Sequence, residues 1–377
     1  MKIVYVLDSL ANKAGTERMI SFKMNYLAEN KYDVYLITAS QGYHPFSFDL
    51  SSKITCIDLN INLHHIYKYK FPFRLYQEIK FYYLLKIKLR NVILSIDPDI
   101  IIATTYSFAD IICNLKCNAK KIIESHGNKI YLSYVYDDNN FLKRIYKKIR
   151  RYKLIKNIEN KSDVLITLTY GDYDQWKTSA IKLVIPNPIP MITHNYSTLI
   201  NKRVISIGRL VPEKRFDMLI YAWKIVSSKY CDWILDIYGN GRLYDKLIMQ
   251  INKLNLSDSC FIHTTTENIS DQYINSSIFV MTSLSEGFGL VLAEAMAFGI
   301  PCVSFNCPFG PAQIIKDNED GFLVENGNIE KLADRICFLI ENEEQRKIMG
   351  CHARINIQRF SSEIIMKKWD DLFSSLV

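Results

Sequence analysis

The run SSIFVMTSLSEGFGLVLAEAMAFGIPCVSF, residues Ser276–Phe305, decides the fold. SSIFVMTS reads as a fully buried strand, EGFG as a glycine turn and LVLAEAMAF as a helix. Gly299-Ile300-Pro301 stops that helix, and CVSF opens the next strand. A helix apolar on nearly every face belongs inside an α/β layer, not on its surface. Yet the stretch carries two carboxylates, Glu286 and Glu294. A carboxylate is costly to bury unless it is paired or hydrogen-bonded. Glu294 is therefore expected to be buried and bonded.

Working outward, the same alternation fills the chain. Strand-like runs occur at KIVYVL, DVYLIT, ITCIDL, DIIIAT, KKIIES and DVLITL. After LVIPNPIPM the series restarts with RVISIG, WILDIYG, CFIHTT, IFVMTS, CVSF and GFLV. Continuous Val/Ile/Leu strands divided by helices predict parallel sheets covered on both faces. Two such series joined by a proline-rich hinge predict two Rossmann-like domains facing across a cleft. The boundaries expected are 1–187, 188–358 and a terminal helix over 359–377 that packs back toward the first domain. In such sheets ligands bind beyond the C-terminal strand ends, so functional residues should follow strands.

Composition sets limits. With 377 residues, 49% hydrophobic and 23% charged, the chain reads as globular, with enough length for two domains. No apolar run approaches the roughly 20 residues of a membrane span. MKIVYVLDSL reads as a first buried strand rather than a signal peptide. Nine cysteines lack metal spacing, Cys113-x-x-x-Cys117 being the closest pair, which suits reduced thiols in the cytoplasm. The acidic pair Asp97 and Asp99 precedes a strand, at the wrong end for a cleft site, so no metal is expected.

Four places follow strands and carry chemistry. Gly208 and Arg209 end RVISIG, and Lys214 stands where an amphipathic helix begins. A strand end, a helix N-terminus and two cations make a clamp for a diphosphate. In isolation the same turn also reads as solvated basic surface. Gly15 follows the first strand and precedes a helix that Thr16 could cap; a glycine there lets backbone approach a phosphate. Tyr238 and Gly239 open another glycine turn, which alone reads as a simple turn. His126, in KKIIESHG, lies just beyond a strand end.

EGFGLVLAEAM together with GRLVPEK, VIPNPI and SHG resembles the large retaining glycosyltransferase family 4, whose members have the GT-B architecture. The hallmark is Glu, seven residues, Glu, here Glu286 and Glu294. The resemblance implies that Glu294 bonds the nucleotide ribose and that Glu286 reaches the transferred sugar beside the backbone of Phe288, Gly289 and Leu290. It implies that Arg209 and Lys214 hold the diphosphate with Gly15, and that His126 lies near the sugar hydroxymethyl. Tyr238, Gly239 and Thr264 would contact the base. Two departures stand out. The first loop has Ala14-Gly15 instead of a glycine pair, and NCPFGPAQII replaces a double-glycine turn, a variant associated with bacterial surface-polysaccharide enzymes. The expected activity is metal-independent transfer of a hexose or N-acetylhexosamine from a UDP-sugar, without cofactor, to a glycan acceptor, with same-face attack. A nucleotide-sugar epimerase of the same architecture and a non-catalytic sugar-nucleotide-binding protein are the alternatives. A dehydrogenase would need GxGxxG in the first turn, which is missing.

The net charge of +8 is concentrated. Between Lys143 and Lys161, nine Lys and Arg face only Glu159. There Leu142, Ile145, Ile149, Tyr152 and Ile155 recur at helical spacing. A second basic stretch, Tyr67–Arg90, is rich in aromatics. A cationic helix with an apolar stripe suits an anionic membrane surface. The same pattern also fits a helix packed on its sheet with a solvated basic face. The expectation is peripheral attachment to the inner face of the cytoplasmic membrane and a lipid-linked acceptor. No nucleic-acid module is legible.

Overall fold

The computed structural model of the protein describes residues 1–61, 68–70, 73–105, 107–130, 141–189, 195–264 and 268–377, with side chains 141–143 excepted. Its strands are β1 (Lys2–Leu7), β2 (Asp33–Thr38), β3 (Thr55–Asp58), β4 (Ile100–Thr104), β5 (Lys120–Ser125), β6 (Val164–Thr167) and β7 (Ile181–Val184). There follow β8 (Arg203–Ile207), β9 (Ile234–Tyr238), β10 (Cys260–His263), β11 (Ile278–Met281), β12 (Cys302–Phe305) and β13 (Gly321–Val324). The helices of the first half are α1 (Gly15–Glu29), α2 (Phe73–Ile96), α3 (Ala109–Cys113), α4 (Phe141–Lys161) and α5 (Tyr170–Gln175). Next come α6 (Phe216–Ser227), α7 (Tyr244–Lys253), α8 (Ile269–Ile274) and α9 (Leu290–Ala297). The series ends with α10 (Pro311–Ile314), α11 (Ile329–Glu341), α12 (Glu343–Asn356) and α13 (Ser362–Leu376).

The Val/Ile runs form strands because both faces are covered. β4, β6, β11 and β12 are buried at every residue. The first sheet has the order β3-β2-β1-β4-β5-β6-β7 and the second β10-β9-β8-β11-β12-β13, with parallel pairing throughout both. Each order reverses direction once, between β1 and β4 and between β8 and β11. Those reversals are where the crossover helices diverge to opposite faces and leave an open crevice beyond the strand ends.

The chain divides into two compact units. One comprises Met1–Pro186 with Met366–Val377, the other Asn187–Ile365. Most of α13 thus belongs with the first unit, where Tyr32 hydroxyl donates to Asp370 Oδ1 at 3.0 Å. Two local readings are refined and a third holds. β7 falls in a segment read as part of the hinge. Its residues are only partly covered at a sheet edge, so no apolar run marks it. α1 starts at Gly15 with Ala14 at the cap and no side-chain cap bond, which puts Thr16 inside the first turn instead of at the cap. Asp99 accepts from the Lys2 backbone N–H at 2.7 Å, at the N-terminal end of β4 as its position predicted.

Candidate active site

In the second unit, the loops after β8 and β11 emerge from adjacent strands at the point of reversal, and they are stitched together. Leu284 N–H donates to the Glu213 carbonyl at 2.8 Å, and Thr282 Oγ1 to the Lys214 carbonyl at 3.0 Å. Side chains complete the seam. Lys214 Nζ donates to Glu286 Oε1 at 2.5 Å, and Ser283 Oγ donates to the same oxygen at 2.5 Å. Both partners of the ion pair are only partly exposed, 20% for Lys214 and 11% for Glu286, so water screens it weakly. Arg209 is exposed, and its side chain makes no hydrogen bond or ion pair among the described residues. Arg209 and Lys214 thus both lie in the segment that follows β8.

Close backbone packing fixes the neighbouring loops. A Cβ on Gly239 would lie 1.9 Å from the Gly208 carbonyl oxygen, and one on Gly241 2.4 Å from that of Leu210. The loop after β9 can abut the loop after β8 only because neither position bears a side chain. Gly310, in the loop after β12, closes in the same way on Glu286. A Cβ there would meet Glu286 Cβ and the Phe288 carbonyl, each at 2.7 Å. Gly289 caps α9 at φ +98°, a conformation glycine adopts without strain. Phe288 is buried against the Phe360 ring at 5.3 Å, so this segment offers backbone rather than side chain. Leu290 begins α9.

Glu294 answers the opening expectation. It is 9% exposed, and the Tyr273 hydroxyl donates to its Oε2 at 3.1 Å. Tyr273 is itself 1% exposed and stacks on Phe298 at 5.1 Å. This partner comes from α8, and no sequence motif marked it. Tyr238 ends β9, donates to Gln272 Oε1 at 2.7 Å and stacks on His263 at 4.6 Å. The imidazole in turn bonds Asp236 Oδ1 at 2.7 Å, and Asp236 Oδ2 accepts from Arg203 at 2.6 Å. His263, Asp236 and Gln272 were not anticipated; His263 ends β10, Asp236 is a carboxylate in the middle of the buried strand β9, and Gln272 lies on α8. Thr264 is exposed one residue beyond β10.

In the first unit, Gly15 is exposed at the first position of α1, after β1. His126 follows β5. Its side chain is 1% exposed, and Nε2 lies 3.0 Å from Glu124 Oε2.

These arrangements have counterparts among known proteins. The family model described as "Glycosyl transferases group 1" matches residues 198–355. An uncharacterized glycosyltransferase of Haemophilus influenzae is 30% identical over 375 residues, which are 98% of this chain and 98% of that one. This chain belongs to the group 1 glycosyltransferases. Another relative of this glycosyltransferase, the amylovoran biosynthesis glycosyltransferase AmsD of Erwinia amylovora, is 27% identical over 386 residues and matches 99% of both chains. Among solved structures, a mutant TarM of S. aureus in complex with fondaparinux, alpha-GlcNAc-glycerol and UDP superposes with a TM-score of 0.77. It is 20% identical, and the match covers 99% of each chain, so it bears on the fold alone. The enzyme is a retaining hexosyltransferase of the family 4 type with the GT-B fold.

Proposed function

We propose that this glycosyltransferase moves a hexose or N-acetylhexosamine from a UDP-sugar, without a metal ion, to a lipid-linked glycan in surface polysaccharide synthesis. The observation that carries the donor half is the Lys214–Glu286 pair at the reversal between β8 and β11, with Arg209 in the same segment after β8. As the anomeric bond breaks, negative charge grows on the departing diphosphate. Cations already fixed at that point stabilise the transition state without reorganisation. Lys214 is held by Glu286, while Arg209 is exposed two residues beyond β8. Glu294 would take the ribose hydroxyls, Glu286 the sugar, and the Phe288–Leu290 backbone would line its path. Tyr238, Gly208, Gly239 and Thr264 would border the base and phosphates. Gly15 and His126, each after a strand of the first unit, are assigned to the reaction on the resemblance, and the first unit to the acceptor. The relative named for amylovoran biosynthesis and the UDP in the TarM complex support the choices of acceptor class and nucleotide.

The acceptor half rests on the basic helices. In α4, Ile145, Ile149 and Tyr152 are 40%, 50% and 63% exposed, so that part of the stripe faces solvent. Ile155 packs, with Leu154, on the core that contains the buried Ile158, and the side chain of Leu142 lies outside the described residues. In α2, only Leu85, Leu89, Ile93 and Ile96 are buried, while Phe73, Tyr76, Ile79 and Tyr83 are exposed. A groove of about 300 Å³, lined by residues including Ile79, Tyr82, Asp110, Ile149 and Arg150, runs between them. Exposed apolar side chains among nine basic residues fit an anionic bilayer surface. No helix among the described residues is long and apolar enough to cross a membrane.

Calorimetry with UDP and GDP, followed by donor screening with NMR analysis of the product anomer, tests this reading. UDP binding, transfer with retention and activity unchanged by EDTA are expected. GDP binding without UDP binding would overturn the nucleotide, and restoration by manganese of EDTA-abolished activity would overturn metal independence. Interconversion of sugars without acceptor would identify an epimerase.

A further inference from the structure

The first unit contains a buried ion pair to which the roles above give no task. Lys23 lies on the same face of α1 as Met19, Met24 and Leu27, and its side chain is 2% exposed. Its ammonium pairs with Glu124 Oε2, itself 1% exposed and one residue short of the end of β5. The same oxygen bonds His126 Nε2 at 3.0 Å. Over Lys23, 4.7 Å from Nζ, lies the Trp369 ring of α13. Glu124 Oε1 makes no hydrogen bond among the described residues. All polar contacts of this carboxylate thus go to Lys23 and His126.

Burying an ammonium and a carboxylate is costly, and apolar side chains of similar volume would fill the space as well or better. Packing alone does not account for the pair. Its effect falls on His126. Burial raises the Glu124 pKa, but Lys23 and His126 outweigh it and hold the carboxyl down to about 2. An ionised carboxylate accepts only, so the hydrogen must sit on Nε2, and the imidazole has one orientation. The residue as a whole is 8% exposed against 1% for its side chain. What His126 presents outward is therefore its main chain, with the ring as an anchor.

We propose that Lys23, Glu124 and Trp369 form a clamp that fixes the His126 imidazole and thereby holds the His126–Gly127 strand end, to which the proposed function gives a part in turnover, in one conformation. Glu124 is a positioning residue that acts through His126. The proposal rests on the reading of His126 as a donor-sugar contact.

The decisive variant is Lys23→Met/Glu124→Leu, which removes both charges together and leaves no unpaired buried ion. It is expected to fold and to bind UDP within about twofold of wild type, since distant sites act independently. Its kcat should fall about tenfold or more, as expected for loss of a charged hydrogen bond. The His126 imidazole ¹⁵N resonances should move away from a single Nε2-protonated form. Lys23→Met/Glu124→Gln, which restores an acceptor, should recover most of the rate. Wild-type kcat in the apolar pair, or unchanged His126 resonances, would overturn the clamp. Wild-type turnover in His126→Ala would instead remove the reading beneath it, and the resonances distinguish the two failures because they do not depend on activity.

Discussion

Lys214 Nζ and Glu286 Oε1 meet at 2.5 Å although 72 residues separate them in sequence. One comes from the loop after β8, the other from the loop after β11, and the two loops are also joined backbone to backbone. The pair sets the position of the ammonium before any diphosphate arrives. It also places a carboxylate beside that ammonium, so under the proposed function the lysine serves two anions at once.

Arg209→Ala and Lys214→Ala should reduce kcat more than they weaken UDP binding, because their charge acts most as the diphosphate leaves. A lost charged hydrogen bond is worth roughly 1.5–3 kcal/mol, on the order of 10- to 150-fold in rate. Steady-state kinetics beside UDP titration will separate the two. If only KM rises, the cations bind the ground state and the assignment is wrong.

Glu294→Ala should instead weaken UDP binding, since ribose contacts do not change during the reaction. Tyr273→Phe removes the donor to a buried carboxylate oxygen and should destabilise the fold by about 1–3 kcal/mol. Denaturant unfolding measures that loss. An unchanged midpoint would mean the hydroxyl contributes nothing to holding Glu294.

Lys31 follows the end of α1 with φ 75°, in the left-handed region, and is exposed. A glycine at that position escapes a steric cost of roughly 1–2 kcal/mol. Lys31→Gly should therefore raise the unfolding midpoint, offset in part by the greater freedom of glycine in the unfolded chain. A lowered midpoint would show that the lysine makes a stabilising contact that outweighs the backbone.

Glu124 gives acid stability a defined window. Its folded-state pKa is depressed from 4.5 to about 2, so the stability it contributes is present above pH 4.5 and is lost as pH falls toward about 2. Urea midpoints of the wild type should drop across that window more than those of Lys23→Met/Glu124→Gln. Parallel curves would show that the carboxylate is not held down.

Flotation with liposomes tests the basic helices. Binding should need anionic lipid and weaken with salt, and it should fall when Lys147, Lys148, Arg150 and Arg151 become glutamine, each basic residue being worth about 1 kcal/mol near the surface. Replacing Ile149 and Tyr152 by serine should weaken binding at high salt as well. A wild type that ignores anionic liposomes at low salt would point to an acceptor in solution.

Much of the fold was legible because both sheets are buried on both faces, which turns strands into unbroken Val/Ile/Leu runs. Twelve of the strands fall in stretches read as strands, including β3, which is exposed at the opposite edge and was marked by ITCIDL; β7, partly exposed at its own edge, does not. Arg209, Lys214 and Glu286 were legible through their positions after strands and their spacing, although the Lys214–Glu286 contact was not. Tyr273 was invisible, because a tyrosine in a short helix looks the same whether its hydroxyl meets water or a carboxylate. Lys23 was readable in principle. It falls at helical spacing between Met19 and Leu27, on the face that must be buried, and a lysine there needs a carboxylate partner from elsewhere.

The placement of α13 has a consequence for how the protein is made. Met366, Trp369 and Phe373 are almost fully buried within a unit whose other residues end at Pro186. On the ribosome, that first unit emerges early but lacks a wall of its interior until about 180 further residues have been synthesised. Meanwhile the second unit is continuous and can close by itself. Assembly should therefore run out of chain order, with the earlier-made unit maturing last. A nascent chain released short of Met366 should be a substrate for chaperones and proteases even though its second unit is whole.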